Sequence, residues 1–129
     1  MARAPIATAA APPAIGPYSQ AIAAGELVFL SGQIGLEPAT GTLIAGGTAP
    51  ETERVMQNLQ AVLAAAGLGF EHVVRTTIYL VDLADFATVN DIYARYVREP
   101  YPARATVGVA TLPRGARVEI DAIALRGAP

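Results

Sequence analysis

The chain has 129 residues and a mass of 13.3 kDa, with 53% apolar and 16% charged residues, a net charge of −2, one His, and neither Cys nor Trp. These counts describe one compact domain, able to bury roughly two-thirds of its unfolded surface without disulfide or metal staples. They exclude thiol nucleophiles, disulfide frameworks, thiolate zinc sites and any two-His metal site, so catalysis has to use Arg, carboxylates and hydroxyls.

All nine cations are Arg, which removes lysine Schiff-base chemistry and Walker-type phosphate loops. A Ser-His-Asp triad would need His72 as its base, and no GxSxG elbow accompanies it. An acidic balance without basic runs argues against a dedicated nucleic-acid binder. Residues 4 to 25 carry no charge, but Pro5, Pro12, Pro13, Gly16 and Pro17 forbid a continuous spanning helix, and Arg3 before an Ala-rich patch is a weak export signal. The chain reads as soluble and cytoplasmic, with no membrane partner. A mean hydropathy of +0.39 is high for a small domain, and surplus apolar surface favours an interface between chains.

In chain order, a Pro-rich lead-in precedes two short apolar stretches, Tyr18 to Ala24 and Glu26 to Ile34, separated by Gly25 at the spacing of an antiparallel hairpin. In the second stretch Leu27, Phe29 and Ser31 share one face and Val28, Leu30 and Gly32 the other. Residues 35 to 49 carry four Gly and a Pro and read as loop. Val55, Met56, Leu59, Val62, Leu63 and Ala66 recur at helical spacing from about Pro50 until Gly67 and Gly69. His72 to Val81 is β-branched and aromatic, a strand. Asp82 can cap a second helix with a stripe of Phe86, Val89, Tyr93, Tyr96 and Val97, ending before Pro100.

Two last strands, Arg104 to Thr111 and Ala116 to Leu125, flank a tight Leu112–Gly115 turn that favours antiparallel pairing between them. The predicted order is ββαβαββ: an α+β domain with one mixed sheet and both helices packed on one face. Alternation puts Val118, Ile120, Ala122 and Ala124 under the helices and Glu119 and Asp121 on the opposite face. Arg104 and Thr106 share a face of the preceding strand. In a hairpin of suitable register, Arg104 and Glu119 then lie on the same side of the sheet, at a subunit boundary in an oligomer that buries it.

The segments GPYSQA (16–21), SGQIG (31–35), LAAAG (63–67), DLADFATVN (82–90) and PARATVGVATLPRGARVEIDAIA (102–124) together resemble the reactive intermediate deaminase family, RidA or YjgF. The resemblance spans about Ile6 to Arg126, and its closing segment is the most specific part. It implies a chorismate-mutase-like domain, a homotrimer with clefts between subunits, and hydrolysis of small 2-imino acids and their enamine tautomers to 2-keto acids and ammonium. It implies no metal and no organic cofactor.

Carried over by position, the family's carboxylate-binding arginine falls on Arg104, its acidic residue on Glu119, its tyrosine on Tyr18 and its serine-glycine pair on Ser31 and Gly32. A planar guanidinium offering two parallel donors suits a carboxylate beside an electrophilic C=N carbon. Glu119 can orient water, Tyr18 and Ser31 can hydrogen-bond water or substrate nitrogen, and the Gly32 N–H can meet a carboxylate oxygen. Thr106 stands where many members carry Cys and can line the cleft. Asn90 joins the substrate-binding candidates, and the segment from Asn90 to Arg104 is shorter than in some members. The scheme requires Arg104 and Glu119 within bonding reach in a pocket built by adjoining protomers.

Taken singly, Arg104 reads as a solvated edge charge, Glu119 as an outward strand carboxylate, and Tyr18 as a packing aromatic. Tyr93, Tyr96 and Phe86 read as core, His72 as a surface residue at a strand start, and Arg114, Arg117 and Arg126 as solvated. Three other functions compete with the small-imine deaminase: a pathway-specific deaminase of a larger, 2-aminomuconate-like enamine, a non-enzymatic module binding keto acids or acting like a chaperone, and a ribonuclease. The acidic balance and the absence of Lys argue against the last.

Overall fold

A computed structural model describes residues 2–127. Six strands and two helices follow one another as β1 (Arg3–Ile6), β2 (Ala21–Ala24), β3 (Leu27–Gln33), α1 (Thr48–Ala65), β4 (Val73–Leu80), α2 (Phe86–Ala94), β5 (Ala103–Gly108) and β6 (Val118–Leu125). They form one mixed sheet of order β1-β2-β3-β6-β4-β5. The predicted α+β class and the helix layer on one face hold. The lead-in, read as irregular, contains an additional strand: Arg3 to Ile6 pairs antiparallel with Ala24 to Ala21 along a free edge of the sheet.

Helix α1 buries Thr52, Val55, Met56, Leu59, Val62 and Leu63, the stripe that its three- and four-residue spacing dictates. Its end is set by Gly67 at φ 76°, a left-handed position that suits glycine. The N–H groups of Gly67 and Leu68 close back on Ala64 and Leu63 at 2.9 Å each. Opposite the helix lie Val118, Ile120, Ala122 and Ala124 of β6, each 3% exposed or less, as alternation predicts. Asp82 does cap, accepting from the Ala84 N–H at 2.9 Å, but it caps a 3-10 turn that leads into α2, and α2 ends at Ala94. His72 lies in a 3-10 turn before β4, where its Nδ1 accepts from the Gly69 N–H at 3.0 Å.

The expected hairpin of the last two strands does not form. β5 pairs parallel with β4, Thr76 facing Arg104 and Tyr79 facing Val107, while β6 inserts antiparallel between β3 and β4. Composition explains the exchange. β6 has an unbroken buried row of small and branched side chains and takes the centre, whereas β5, with Arg104, Thr106 and Gly108 on one face, takes the edge. The parallel pair is the product of the helical crossover β4-α2-β5, the ordinary route to parallel neighbours.

Arg117, read as solvated, is only partly so: its side chain keeps 43% of its exposure but is tied down by three contacts of the residue. Its Nε donates to Thr48 Oγ1 at 2.7 Å, its Nη2 donates to Asp85 Oδ2 at 3.2 Å, and its backbone N–H donates to the buried Glu51 carboxylate at 2.8 Å. That cluster ties the start of β6 to the first turn of α1 and the approach to α2.

Candidate functional site: two half-sites on opposite faces of the sheet

The end of β3 shapes the first half-site. Between Leu30↔Ala122 and Gln33↔Ile120, three steps of β3 face two of β6, so Ser31 and Gly32 form a bulge. Strict alternation would turn Gly32 toward the helices. The bulge instead brings it against the Glu119 carboxylate, so closely that a Cβ at position 32 would overlap Glu119 Oε2. The Ser31 hydroxyl donates to the Ser19 carbonyl at 2.6 Å, fixing the bulge to the strap that carries Tyr18.

Tyr18, Ser31, Gly32 and Glu119 line one cleft of about 490 Å³, with Ile15, Ile34, Leu36 and Pro113 as apolar wall and Arg114 as its cation. Two buried amides hold this wall. Gln20, 5% exposed, donates to the carbonyls of Thr8, Ala11 and Pro12 and accepts from the Thr8 N–H. Asn58, fully buried on α1, donates to the carbonyls of Ile34 and Leu36 at 3.2 and 3.0 Å. Tyr18 is 55% exposed, and its hydroxyl accepts from the Ile15 N–H at 3.4 Å.

Burial first, and then the neighbouring Asp121 carboxylate, raise the pKa of Glu119. Asp121, two residues along the same face, accepts from the Tyr79 hydroxyl at 2.8 Å, and this contact raises the pKa of Tyr79. Glu119 thus sits where its proton is held more firmly than on a solvated glutamate, a property suited to a base that must also return a proton.

The second half-site is built on α2. Phe86, Asn90 and Tyr93, spaced at four and three residues, share the helix face turned toward β5. The Arg104 guanidinium lies 5.5 Å from the Phe86 ring centroid and 5.1 Å from that of Tyr93, and its Nη1 donates to Asn90 Oδ1 at 2.8 Å. Tyr93 is itself fixed, its hydroxyl 2.7 Å from Thr76 Oγ1. A shallow pocket of about 350 Å³ opens beside Arg104, between Asn90, Val97 and Tyr101. Tyr93 is core, as read, and its ring also supports the arginine, whereas Phe86, read as core, is 41% exposed and supports the arginine at the surface. Their helical spacing relative to Asn90 was the available signal.

Arg104 and Glu119 do not share a face. Arg104 lies beside Thr76 and hence Ala122, on the helix side, whereas Glu119 lies beside Tyr79 on the opposite side. The same-side expectation is overturned because it rested on the β5–β6 hairpin. Two strand spacings, roughly 10 Å, and three residues along the strand, roughly 10 Å more, also separate the two positions. Thr106, beside Ile78, shares the Arg104 face and lines neither cleft; its Oγ1 is buried with no hydrogen-bond partner among the described residues. Among the described residues, no helix is long and apolar enough to cross a membrane.

A six-stranded sheet of this order, backed by two helices, with a glycine bulge against a strand carboxylate, defines a family of small α+β proteins. The family profile described as Endoribonuclease L-PSP matches residues 8–126, and the chain belongs to this family, the RidA/YjgF proteins. Protein DfrA of Myxococcus xanthus is 60% identical over 127 residues, 97% of each chain. The 2-iminobutanoate/2-iminopropanoate deaminase of Homo sapiens is 49% identical over 122 residues, 95% of this chain and 89% of the human one. Among solved structures, RidA from the Antarctic bacterium Psychrobacter sp. PAMC 21119 superposes with a TM-score of 0.90 at 44% identity, covering 93% and 97% of the two chains. E. coli TdcF with bound serine gives a TM-score of 0.90 at 39% identity over 96% and 99%.

Proposed function

We propose that the protein is a 2-iminobutanoate/2-iminopropanoate deaminase whose sites form where the Glu119 cleft of one protomer meets the Arg104 pocket of the next, in a homotrimer. The observation that carries the reading is the arginine. Aromatic faces and one neutral acceptor hold Arg104 in place and leave most of its donors and its whole charge for a ligand anion. Homologues named as imine deaminases, and a solved relative holding serine, support a carboxylate-bearing ligand. The apolar outer sheet face supports self-association: Leu27, Phe29, Val107 and Leu125 are each 37 to 42% exposed.

In this reading Arg104 grips the substrate carboxylate, with Asn90 holding the guanidinium. The Gly32 N–H meets a carboxylate oxygen. Glu119 takes a proton from water as the water oxygen bonds to the imine carbon, and the C=N π pair moves to nitrogen. Returning the proton to nitrogen gives the aminocarbinol; Glu119 then passes the hydroxyl proton to the amino nitrogen as the C=O bond forms and the C–N bond breaks, so imine and water become keto acid and ammonia. Tyr18 and Ser31 hold water and nitrogen. The scheme uses no metal or organic cofactor, and the reading places the protein in the cytoplasm.

The test generates 2-aminoacrylate from serine with a dehydratase and follows pyruvate release. Wild type accelerates it, and Arg104→Ala loses about a hundredfold in kcat/KM, about 3 kcal/mol, the worth of a charge-assisted contact. Unchanged activity in that variant defeats the reading. Mixing inactive Arg104→Ala with inactive Glu119→Gln protomers tests the shared site. Random exchange regenerates about one quarter of the sites if each takes one half from each neighbour, and none if a site lies within one chain.

The description Endoribonuclease L-PSP motivates a second reading, RNA cleavage. The pI of 5.3 and the scattered arginines oppose it, and RNA cleavage that persists through exhaustive purification of Arg104→Ala would support it.

A further inference from the structure

Arg114 stands at the mouth of the Glu119 cleft, and the hydrolysis described above leaves it unused. The Pro113–Gly115 turn holds it at φ 61° and ψ 18°, in the left-handed region that a residue with a Cβ enters at a cost of about 1 kcal/mol. Its side chain is fixed too. Nη2 donates at 2.8 Å to the carbonyl of Gly41, in the loop that follows β3.

A guanidinium anchored on a neutral carbonyl keeps its full charge. Arg54, Arg95 and Arg117 each face a carboxylate, at 3.8, 3.4 and 3.2 Å. No carboxylate among the described residues pairs with Arg114. It shares this state with Arg104, held by the amide oxygen of Asn90. Ile34, Leu36 and Pro113 line the cleft along with Glu119 and Arg114, an apolar wall suited to methylene groups. The cleft volume of about 490 Å³ is of the size that holds ligands much larger than a four-carbon acid.

We infer that Arg114 is a specificity-determining residue that takes a second, distal carboxylate, so that 2-imino dicarboxylic acids, the imines of acidic amino acids, are preferred substrates. The inference rests on the imine-hydrolysis reading, with the first carboxylate on Arg104. Such imines arise from two-electron oxidation of acidic amino acids, so an amino-acid-oxidising reaction is the class that supplies them.

The experiment compares kcat/KM for 2-iminoglutarate and 2-iminobutanoate, each generated in situ by an amino-acid oxidase and trapped with semicarbazide. Arg114→Asn removes the charge with a residue that tolerates the left-handed backbone, and Arg114→Lys keeps the charge. Wild type is expected to favour 2-iminoglutarate. Arg114→Asn should lower the ratio of the two kcat/KM values by about tenfold to a hundredfold, through KM, the worth of one charge-assisted contact. Arg114→Lys should retain most of it. A ratio that falls less than fivefold in Arg114→Asn, or a wild type that favours 2-iminobutanoate, overturns the inference while leaving imine hydrolysis intact. A wild type that hydrolyses neither imine overturns both.

Discussion

Under the proposed hydrolysis, Glu119 carries two opposed demands. Burial and the Asp121 charge disfavour its ionised form, yet a base has to be ionised to accept a proton. The acid limb of the kcat/KM profile should therefore lie above the range of a solvated glutamate, and Asp121→Asn should move it down, measured on 2-iminobutanoate across pH 4 to 8. Stability follows the reverse course. A carboxyl whose pKa is higher folded than unfolded binds more protons in the native state, so its charge costs stability above the folded pKa. Below the unfolded pKa, where both states are protonated, the cost is gone. Glu119→Gln should be inactive yet melt higher than wild type at neutral pH, the difference vanishing in acid. An equal melting temperature at both pH values would show the carboxylate to be well solvated.

At the scale of elements, the bulge at Ser31 and Gly32 decides what Glu119 can reach. Gly32→Ala puts a methyl where Oε2 lies, and the side chain has to move away. The expected outcome is a loss of tenfold or more in activity, about 1.5 kcal/mol or more, with the melting temperature little changed. Position 32 is also where alternation misled, because one inserted residue reverses the facing of those after it. α1, α2 and β6 were legible because each has a buried stripe of regular period, and β4 because its residues are β-branched and aromatic. The β5–β6 pairing was not: the Leu112–Gly115 turn has the composition of a hairpin turn, and only the strand–helix–strand order of 73–108 pointed to a parallel crossover. β1 was hidden by Pro5, which an edge strand tolerates. Motif resemblance supplied the site residues one by one, but their faces depend on register, which no local motif contains.

For the whole molecule, the outer face of the sheet leaves large apolar side chains exposed. The row Ile22–Phe29–Ile123 runs across β2, β3 and β6, with Leu27 beside Leu125 at its end. Burying such a row between copies is worth several kcal/mol at ~25 cal/mol per Å². Phe29→Asp would place a carboxylate in that contact without touching the helix-side core. Light scattering should then report monomer, with the dissociation constant raised about a hundredfold or more, about 3 kcal/mol. A Phe29→Asp protein of unchanged mass would show that the proposed self-association does not bury this face.

The placement of Arg104 and Glu119 on opposite faces of the sheet has a kinetic corollary under the proposed assembly. A lone protomer owns two inert fragments, so turnover per milligram should collapse on dilution below the concentration at which protomers part. It should recover with a lag as they re-encounter one another. Catalytic output would then scale more steeply than linearly with protein abundance, coupling hydrolytic capacity to expression level without any effector.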